Sequence, residues 1–199
     1  MNTRARRWIR EAISLAVTLG VVLAGRAALA DQYVVPSGSM EPTVQVGDHI
    51  VVAKASYGLR VPFTDKYLVH FRPPHRGEVV VLDSPEDDHV LLKRVAALPG
   101  DEVQVQRGAL IVNGVPVAWK QTPDGVEELS DAGPHLLGLD RGGGPDFGPT
   151  RVPDGKLLVL GDHRGDSRDG RYFGFVETNT VLGHALGIFW RGGPTWRGL

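Results

Sequence analysis

Ser39 lies in a turn-rich segment that could present a nucleophilic hydroxyl. The sequence around it is Pro36-Ser37-Gly38-Ser39-Met40-Glu41-Pro42-Thr43. Gly38 lets the backbone approach closely, and the prolines on both sides stiffen the loop. A serine in such a loop is either an ordinary turn hydroxyl or a nucleophile. In the second case it needs a base that removes its proton.

Lys93 could be that base. It lies in the apolar run Val90-Leu91-Leu92-Lys93-Arg94-Val95, which has the composition of a β-strand. A lysine in such a run is commonly a gatekeeper on an edge strand or the partner of a carboxylate. If it is buried instead, desolvation disfavours the ammonium and lowers the pKa of the amine. A neutral amine can accept a serine proton without the help of a histidine.

A third segment, residues 161–171 (GDHRGDSRDGR), is dense in polar side chains. It is either a solvated turn with local Asp–Arg pairs or the support of a site formed elsewhere. A Ser-His-Asp triad through His163 and Asp162 is disfavoured, because adjacent side chains in one loop rarely orient one another. The aspartates do not form a calcium loop either, because arginines occupy the alternating positions.

The composition excludes several kinds of function. The chain has no cysteine, which rules out thiol catalysis, disulfides and cysteine zinc sites, and its 7 histidines show no metal-binding spacing. We therefore predict no metal and no cofactor. The formal net charge is -1, so the chain has no basic field that would attract nucleic acid.

The N-terminus predicts an extracytoplasmic location for the rest of the chain. An apolar stretch, residues 12–25, follows four arginines that should stay in the cytoplasm, namely Arg4, Arg6, Arg7 and Arg10. Two interpretations compete. A cleavable signal peptide would end at Ala28-Leu29-Ala30. A membrane span would instead run from about Trp8 to Leu29, with flanking arginines reaching opposite interfaces.

After Asp31 the sequence changes to short strands separated by turns. The 26 glycines and 14 prolines favour such strands over a helical bundle. Strand-like runs occupy residues 49–53, 78–82, 90–98, 103–106, 110–112, 115–117, 157–160 and 181–190. Asn113-Gly114 predicts a type I′ hairpin turn, and the polar, glycine-rich residues 121–153 are interpreted as a loop-rich excursion. We therefore predict a mainly β domain at residues 31–199, preceded by a cytoplasmic N-terminus and one helical anchor at residues 1–30.

Taken together, the three polar segments resemble those of type I signal peptidases, membrane-bound serine proteases that release exported proteins from their signal peptides. The matching motifs, in the family's order, are PSGSMEPT, LLKRVAALPGD and GDHRGDSRDGRYFGF. The lead-in YVVPSGSM, the strand RGEVVVL and the hairpin VNGVPV also fit, so the resemblance covers most of residues 8–190. It implies an antiparallel β-sheet catalytic domain of the signal peptidase type with one N-terminal transmembrane helix.

The resemblance implies that Ser39 is the nucleophile and Lys93 its general base. Ser37 would donate its hydroxyl to the oxyanion hole, beside the backbone N–H of Ser39. Shallow apolar pockets near this pair would admit alanine-sized side chains and reject larger ones. The residues implied to line these pockets are Val35, Met40, Val44 and Leu92.

The resemblance also implies that the late polar segment supports the lysine. Ser167 would hydrogen-bond and orient the Lys93 amine, while Asp169 would pair with Arg171 and Arg94 would be a second partner. The segment departs from the family's usual pattern at His163, Gly165 and Gly170, where asparagine, aspartate and serine are common. Ala97 replaces the familiar glycine before Leu98. These departures concern the finer hydrogen bonding of the loop.

Substrate and location follow from the same resemblance. The substrates would be exported preproteins, cleaved at small-x-small sites on the extracytoplasmic side of the bacterial cytoplasmic membrane, with membrane lipid as the second partner. We expect residues 8–30 to remain attached as a single-pass anchor. The reason is that an extended chain from Ala30 to Ser39 reaches at most about 30 Å, which would keep the hydroxyl close to the bilayer.

Two alternatives remain. A specialised relative, such as a peptidase of a conjugation system, would mature one dedicated substrate. A secreted, non-catalytic β-domain would bind a partner through its glycine-rich loop, and it would require a cleaved signal peptide and an exposed Lys93. The distance between the side chains of Ser39 and Lys93 distinguishes this last alternative from an enzyme.

Overall fold

The structure is a computed structural model that describes residues 8, 10–19, 29–60 and 67–199. Most of its elements are short strands. They are β1 Ala30–Val34, β2 His49–Ala53, β3 Gly58–Arg60, β4 Tyr67–His70, β5 Val79–Asp83, β6 Val90–Ala97, β7 Glu102–Gln106, β8 Ala109–Val112, β9 Val115–Pro116, β10 Trp119–Thr122, β11 Gly125–Ser130, β12 Gly133–Leu137, β13 Phe147–Arg151, β14 Lys156–Leu160, β15 Val176–Glu177, β16 Val181–Trp190 and β17 Pro194–Gly198. A short helix, α1, spans Gly170–Phe173, and 3-10 turns occupy Lys54–Ser56 and Thr178–Thr180.

One large sheet carries the site. Its strand order is β1-β2-β16-β5-β6-β14-β15, and β17 pairs with the far part of β16. The pairs within it are antiparallel, which confirms the prediction of a mainly β, antiparallel domain. The central strand β5 is buried on both faces over its first four residues, as its unbroken valine-rich sequence would require. The sheet therefore gives β6 a rigid neighbour on each side, β5 and β14.

A second sheet, ordered β13-β7-β8-β9, forms around the predicted hairpin. Val112 pairs with Val115, and the two turn residues between them have positive φ, 52° at Asn113 and 76° at Gly114. This is the backbone of a type I′ turn, which asparagine and glycine tolerate better than other residues.

The interpretation of residues 121–153 as a loop-rich excursion is wrong. The strands β10, β11 and β12 form a three-stranded antiparallel sheet within and just before this stretch, and β13 pairs with β7. The stretch looked like a loop because its strands are mostly half-exposed and polar, so they lack the clear apolar alternation that marks a buried strand.

Residues 10–19 are helical and exposed, and β1 begins at Ala30, where it pairs with Ala53. The predicted anchor falls partly on residues 20–28, which lie outside the described residues. Within the described part of the chain, none of the helices has the length and apolarity that a membrane crossing needs.

The core beneath the sheet's first strands holds the Ser39 loop in place. This loop joins β1 to β2, and three of its apolar side chains are buried among those of β2, β5 and β16. They are Val35, Met40 and Val44, with exposed fractions of 5%, 1% and 0%. Burial of these three side chains fixes the loop on the sheet and leaves Ser39 between them at the surface of a cleft.

Candidate active site

The loop that carries Ser39, called here the nucleophile loop (residues 35–48), is closed by backbone hydrogen bonds at its two ends. Val35 N–H donates to the Asp48 carbonyl, and Gly47 N–H donates to the Val35 carbonyl, both at 2.9 Å. The buried Asp48 carboxylate accepts a hydrogen bond from Gln45 N–H at 2.8 Å and pairs with Arg191. These contacts leave the loop little freedom, so the position of the Ser39 hydroxyl is well defined.

Lys93 lies opposite Ser39 on β6. Its amine Nζ donates a hydrogen bond to Ser39 Oγ at 2.7 Å, although 54 positions separate the two residues in the chain. Only 3% of the Lys93 residue is exposed. The register of β6 against β5, in which Lys93 lies opposite Val80, sets the position of the lysine along the sheet.

Burial lowers the pKa of Lys93 from its ordinary value of 10.5 to about 8. Removal of the ammonium from water is the largest cause, and the nearby charge of Arg171 acts in the same direction. The carboxylates of Asp169 and Asp162 oppose the shift without cancelling it. Lys93 is therefore a buried amine that loses its proton far more readily than a lysine in water.

The segment after β14, called here the late loop (residues 161–169), packs against the nucleophile loop. The backbone N–H of His163 donates to the carbonyl of Ser39 at 3.1 Å. Asp169 is fully buried, accepts a hydrogen bond from Gly161 N–H at 2.9 Å, and pairs with Arg171 through two hydrogen bonds of 2.8 Å. The late loop thus holds both the serine backbone and the charges that act on the lysine.

Arg94 pairs with Asp162 and not with Asp169. Its guanidinium makes two hydrogen bonds to the Asp162 carboxylate, at 2.8 and 2.7 Å, and a third to the Gly77 carbonyl at 2.7 Å. The cause lies in the strand: Lys93 and Arg94 are neighbours on β6, so their side chains leave opposite faces of the sheet. Asp162 is fully buried, and Arg94 outweighs the effect of that burial, so the pKa of Asp162 stays below its usual range.

The three-stranded sheet contributes a buried pair that the sequence did not indicate. Glu128 on β11 accepts hydrogen bonds of 2.6 and 3.1 Å from Arg164 of the late loop, and both side chains are 2% exposed. Burial alone would raise the pKa of Glu128, but the charge of the Arg164 guanidinium and its two hydrogen bonds outweigh this effect, and the pKa falls to about 2. Glu128 sits in a polar stretch, so no local pattern marked it as buried.

The predicted contact between Ser167 and Lys93 is not formed. Ser167 Oγ is buried and has no hydrogen-bond partner among the described residues, while the lysine amine is directed to Ser39. Ser167 instead packs closely against Gly161, where a Cβ would lie less than 3.0 Å from both Ser167 Oγ and the Ser39 carbonyl. The serine therefore fills the space between the two loops.

A cleft of about 320 Å³ opens beside the Ser39–Lys93 pair, between the end of β1 and the start of β6. Ser37, which is exposed, lies on the wall of this cleft. Of the four predicted pocket residues, Val35, Met40 and Leu92 line it. Val44 does not belong to its lining and is buried in the core below. The cleft has a mainly apolar lining, which suits a peptide with small apolar side chains.

The departures of the late loop from the usual pattern have local causes. His163 Nε2 lies 2.9 Å from the Asp140 carboxylate. A Cβ at Gly165 would lie 2.5 Å from the Arg141 carbonyl, and one at Gly170 would lie 2.6 Å from the Leu158 side chain. Larger residues at these glycines would collide with their neighbours.

The family model and the relatives found by sequence agree on one family. The family model described as "Signal peptidase, peptidase S26" matches residues 6–190. A probable signal peptidase I-2 of Synechocystis is 33% identical over 190 residues, covering 92% of this chain and 73% of the relative. The signal peptidase I of Pseudomonas fluorescens is 34% identical, covering 86% and 68%. A crystal structure of a signal peptidase I from Enterococcus faecalis V583 is 27% identical, covers 57% of this chain and 97% of that chain, and has a TM-score of 0.44.

Proposed function

The chain belongs to the peptidase S26 family of signal peptidases, and we propose that it is a serine endopeptidase in which Ser39 is the nucleophile and Lys93 the general base. The observation that carries this proposal is the 2.7 Å hydrogen bond between the Lys93 amine and Ser39 Oγ, made by a lysine that is 3% exposed. A non-catalytic binding domain would instead require Lys93 to be exposed, without a contact to a serine hydroxyl.

The lowered pKa of Lys93 makes the neutral, proton-accepting form of the base available at working pH. With a pKa of about 8, about one lysine in ten is neutral at pH 7. At the ordinary pKa of a lysine in water, the neutral fraction would be on the order of one in 3,000. Burial thus supplies about 300 times more of the reactive form, and the proposed chemistry needs neither a metal nor a cofactor.

In the proposed reaction, neutral Lys93 takes the Ser39 proton while Oγ forms a bond to the scissile carbonyl carbon. The carbonyl oxygen becomes an oxyanion, for which the Ser37 hydroxyl and the Ser39 N–H are the proposed donors. Collapse of this intermediate breaks the C–N bond, and the Lys93 ammonium gives its proton to the leaving amine. Lys93 then activates a water molecule that hydrolyses the acyl ester and frees Ser39.

The proposed substrates are exported preproteins cut after a small-x-small sequence. Support comes from the apolar lining of the cleft near the reactive pair, which includes Val35, Met40 and Leu92. An extended peptide in this cleft would present alternate side chains to the same wall, and alanine-sized groups would fit there at lowest cost. We propose that cleavage takes place on the extracytoplasmic side of the bacterial cytoplasmic membrane, with residues 1–30 providing the anchor.

Processing of a preprotein in nonionic detergent tests the proposal. The full-length chain should release the signal peptide at the small-x-small site, and Ser39→Ala should abolish this. Lys93→Arg should also abolish it, because arginine keeps the positive charge but cannot lose its proton. Lys156→Arg, at a partly exposed lysine that pairs with Glu177, is the matched control and should retain full activity.

The pH profile of the same reaction gives a second check. The rate should rise with pH as Lys93 deprotonates, with a midpoint near its pKa of about 8. Robust cleavage by Lys93→Arg, or a rate that falls above pH 6.5 where an unperturbed histidine titrates, would refute the assignment of the base.

A further inference from the structure

Arg171 has a contact that its pairing with Asp169 does not require. Its Nε and Nη2 atoms bind the Asp169 carboxylate, and the remaining arm, Nη1, donates a hydrogen bond of 2.6 Å to the carbonyl of Gly143. The Arg171 side chain is fully buried in this arrangement. The guanidinium is therefore clamped between a carboxylate of the late loop and a backbone carbonyl that follows the three-stranded sheet.

The backbone at Gly143 and Gly144 approaches its neighbours too closely for any side chain. A Cβ at Gly144 would lie less than 3.0 Å from Arg171 Nη1 and from the Arg164 carbonyl. A Cβ at Gly143 would lie less than 3.0 Å from the backbone of Arg107 and Gly108. Gly142, by contrast, has open space on its Cβ side. Two of the three consecutive glycines are thus in tight contact with Arg171 or with the turn between β7 and β8.

We propose that Gly143 and Gly144 are positioning residues for the catalytic reaction: they fix the guanidinium of Arg171 against Asp169 and so set the charge environment of the Lys93 amine. Neither glycine touches the reacting atoms. The kinetic part of this proposal rests on the proposed function, whereas the effect on Lys93 does not depend on catalysis.

The charges around Lys93 indicate the direction of the effect. Asp169 and Asp162 raise the pKa of Lys93, and Arg171 lowers it. Ser39 from the nucleophile loop contacts the amine directly, and His89 near the start of β6 lines the same cleft. Asp162 has its own partner in Arg94, and Asp169 is held by Gly161 N–H. Displacement of Arg171 would therefore leave Asp169 in place but less well compensated, and the pKa of Lys93 would rise.

Gly144→Ala and Gly142→Ala form a matched pair. Both glycines have left-handed backbones, with φ of 70° and 79°, so alanine introduces similar strain at either position. Only the Cβ at position 144 meets Arg171. A difference between the two variants therefore reports on what the Cβ at position 144 meets, namely Arg171 and the Arg164 carbonyl, and not on backbone strain, and the Lys93 titration identifies the part that acts through Arg171.

The pKa of Lys93 can be followed in the full-length chain by NMR titration of the ε-carbon of labelled lysine, with Lys93→Met identifying the signal. Gly144→Ala should raise the pKa of Lys93 by about 0.5 or more, and Gly142→Ala should leave it unchanged. In preprotein cleavage, Gly144→Ala should lower kcat/KM at pH 7 by about threefold or more, with KM nearly constant and the loss disappearing above about pH 9.5.

Several outcomes would overturn the proposal. Equal Lys93 titrations in the two alanine variants would do so, as would a loss of activity in Gly144→Ala that persists at high pH. If Gly144→Ala does not fold, Arg171→Lys takes its place, because lysine keeps the charge beside Asp169 but loses the fork that reaches Gly143. An unchanged Lys93 titration in that variant would refute the role. A wild-type chain without Ser39-dependent cleavage would refute the proposed function instead, and the titration would still decide the role of the glycines.

Discussion

Replacement of Lys93 by methionine should stabilise the protein while it abolishes activity. The wild-type fold buries an amine that, in the unfolded chain, would be a hydrated ammonium. Below pH 8 this burial costs free energy, because the folded protein must either bury the charge or give up the proton. Methionine has a similar length and no charge, and the aliphatic groups around β6 can accept it.

The size of the expected stabilisation follows from the pKa of Lys93. The interval between 10.5 and about 8 corresponds to about 3 kcal/mol at 1.36 kcal/mol per pH unit. Loss of the hydrogen bond from the amine to Ser39 Oγ offsets about 1 kcal/mol of this. We therefore expect Lys93→Met to raise the free energy of unfolding by about 2 kcal/mol at pH 7.

The sign of the stability difference between Lys93→Met and wild type depends on pH. Between pH 8 and 10.5 the unfolded wild-type chain binds a proton at Lys93 that the folded protein does not, so wild-type stability rises with pH. The variant lacks this rise. Its advantage should be constant below pH 8, shrink above it, and reverse between about pH 9 and 10, once the lost hydrogen bond outweighs the remaining cost.

Urea unfolding of the full-length chain in nonionic detergent, from pH 6 to 10.5, measures this difference. Lys156→Met, at a partly exposed lysine, should differ from wild type by less than about 0.5 kcal/mol at every pH. A Lys93→Met variant that is less stable than wild type at pH 7, or whose difference from wild type does not vary above pH 8, would show that the wild-type amine is not buried at the expected cost.

Three further predictions concern the oxyanion, the buried ion pair and the N-terminus. Ser37→Ala should lower kcat by about 10²–10³-fold with little change in KM, which single-turnover assays would detect. An unchanged kcat would mean that only backbone N–H groups stabilise the oxyanion. Asp162→Asn should lower the free energy of unfolding by about 3–5 kcal/mol, because it leaves the buried Arg94 guanidinium without its counter-charge. A decrease of less than about 1 kcal/mol in thermal or urea unfolding would contradict this prediction. Protein isolated from membranes should retain residues 8–30 by intact mass and N-terminal sequencing, whereas a soluble mature chain that begins at Asp31 would refute the anchor.

The sequence predicted the main strands because their apolar character is local. Residues 49–53 and 181–190 were predicted with the bounds that the structure has, and the Asn113-Gly114 turn was identified by its dipeptide. The sheet at β10–β12 was missed because half-exposed strands carry little apolar signal. The sheet is joined to the rest of the domain by contacts that are distant in the chain, such as Glu128 with Arg164, 36 positions away.

The candidate site was likewise predictable only in part. The resemblance indicated Ser39 and Lys93 as a pair, and their side chains lie 2.7 Å apart. The partners of the supporting residues could not be predicted, because they depend on how the late loop packs against β6 and against the nucleophile loop. Arg94 accordingly bonds Asp162, and Ser167 packs against Gly161 without reaching the lysine.

The wide separation of the site residues along the chain has a consequence for newly made protein. The 2.7 Å approach of Ser39 to Lys93 joins positions 54 residues apart, and it forms only after β6 has taken its place beside β5. Until then the lysine is solvated and protonated, and the serine lacks its proposed base. Under the proposed mechanism the polypeptide is therefore latent while it folds, and peptide-bond hydrolysis begins only when the long-range strand pairing is complete.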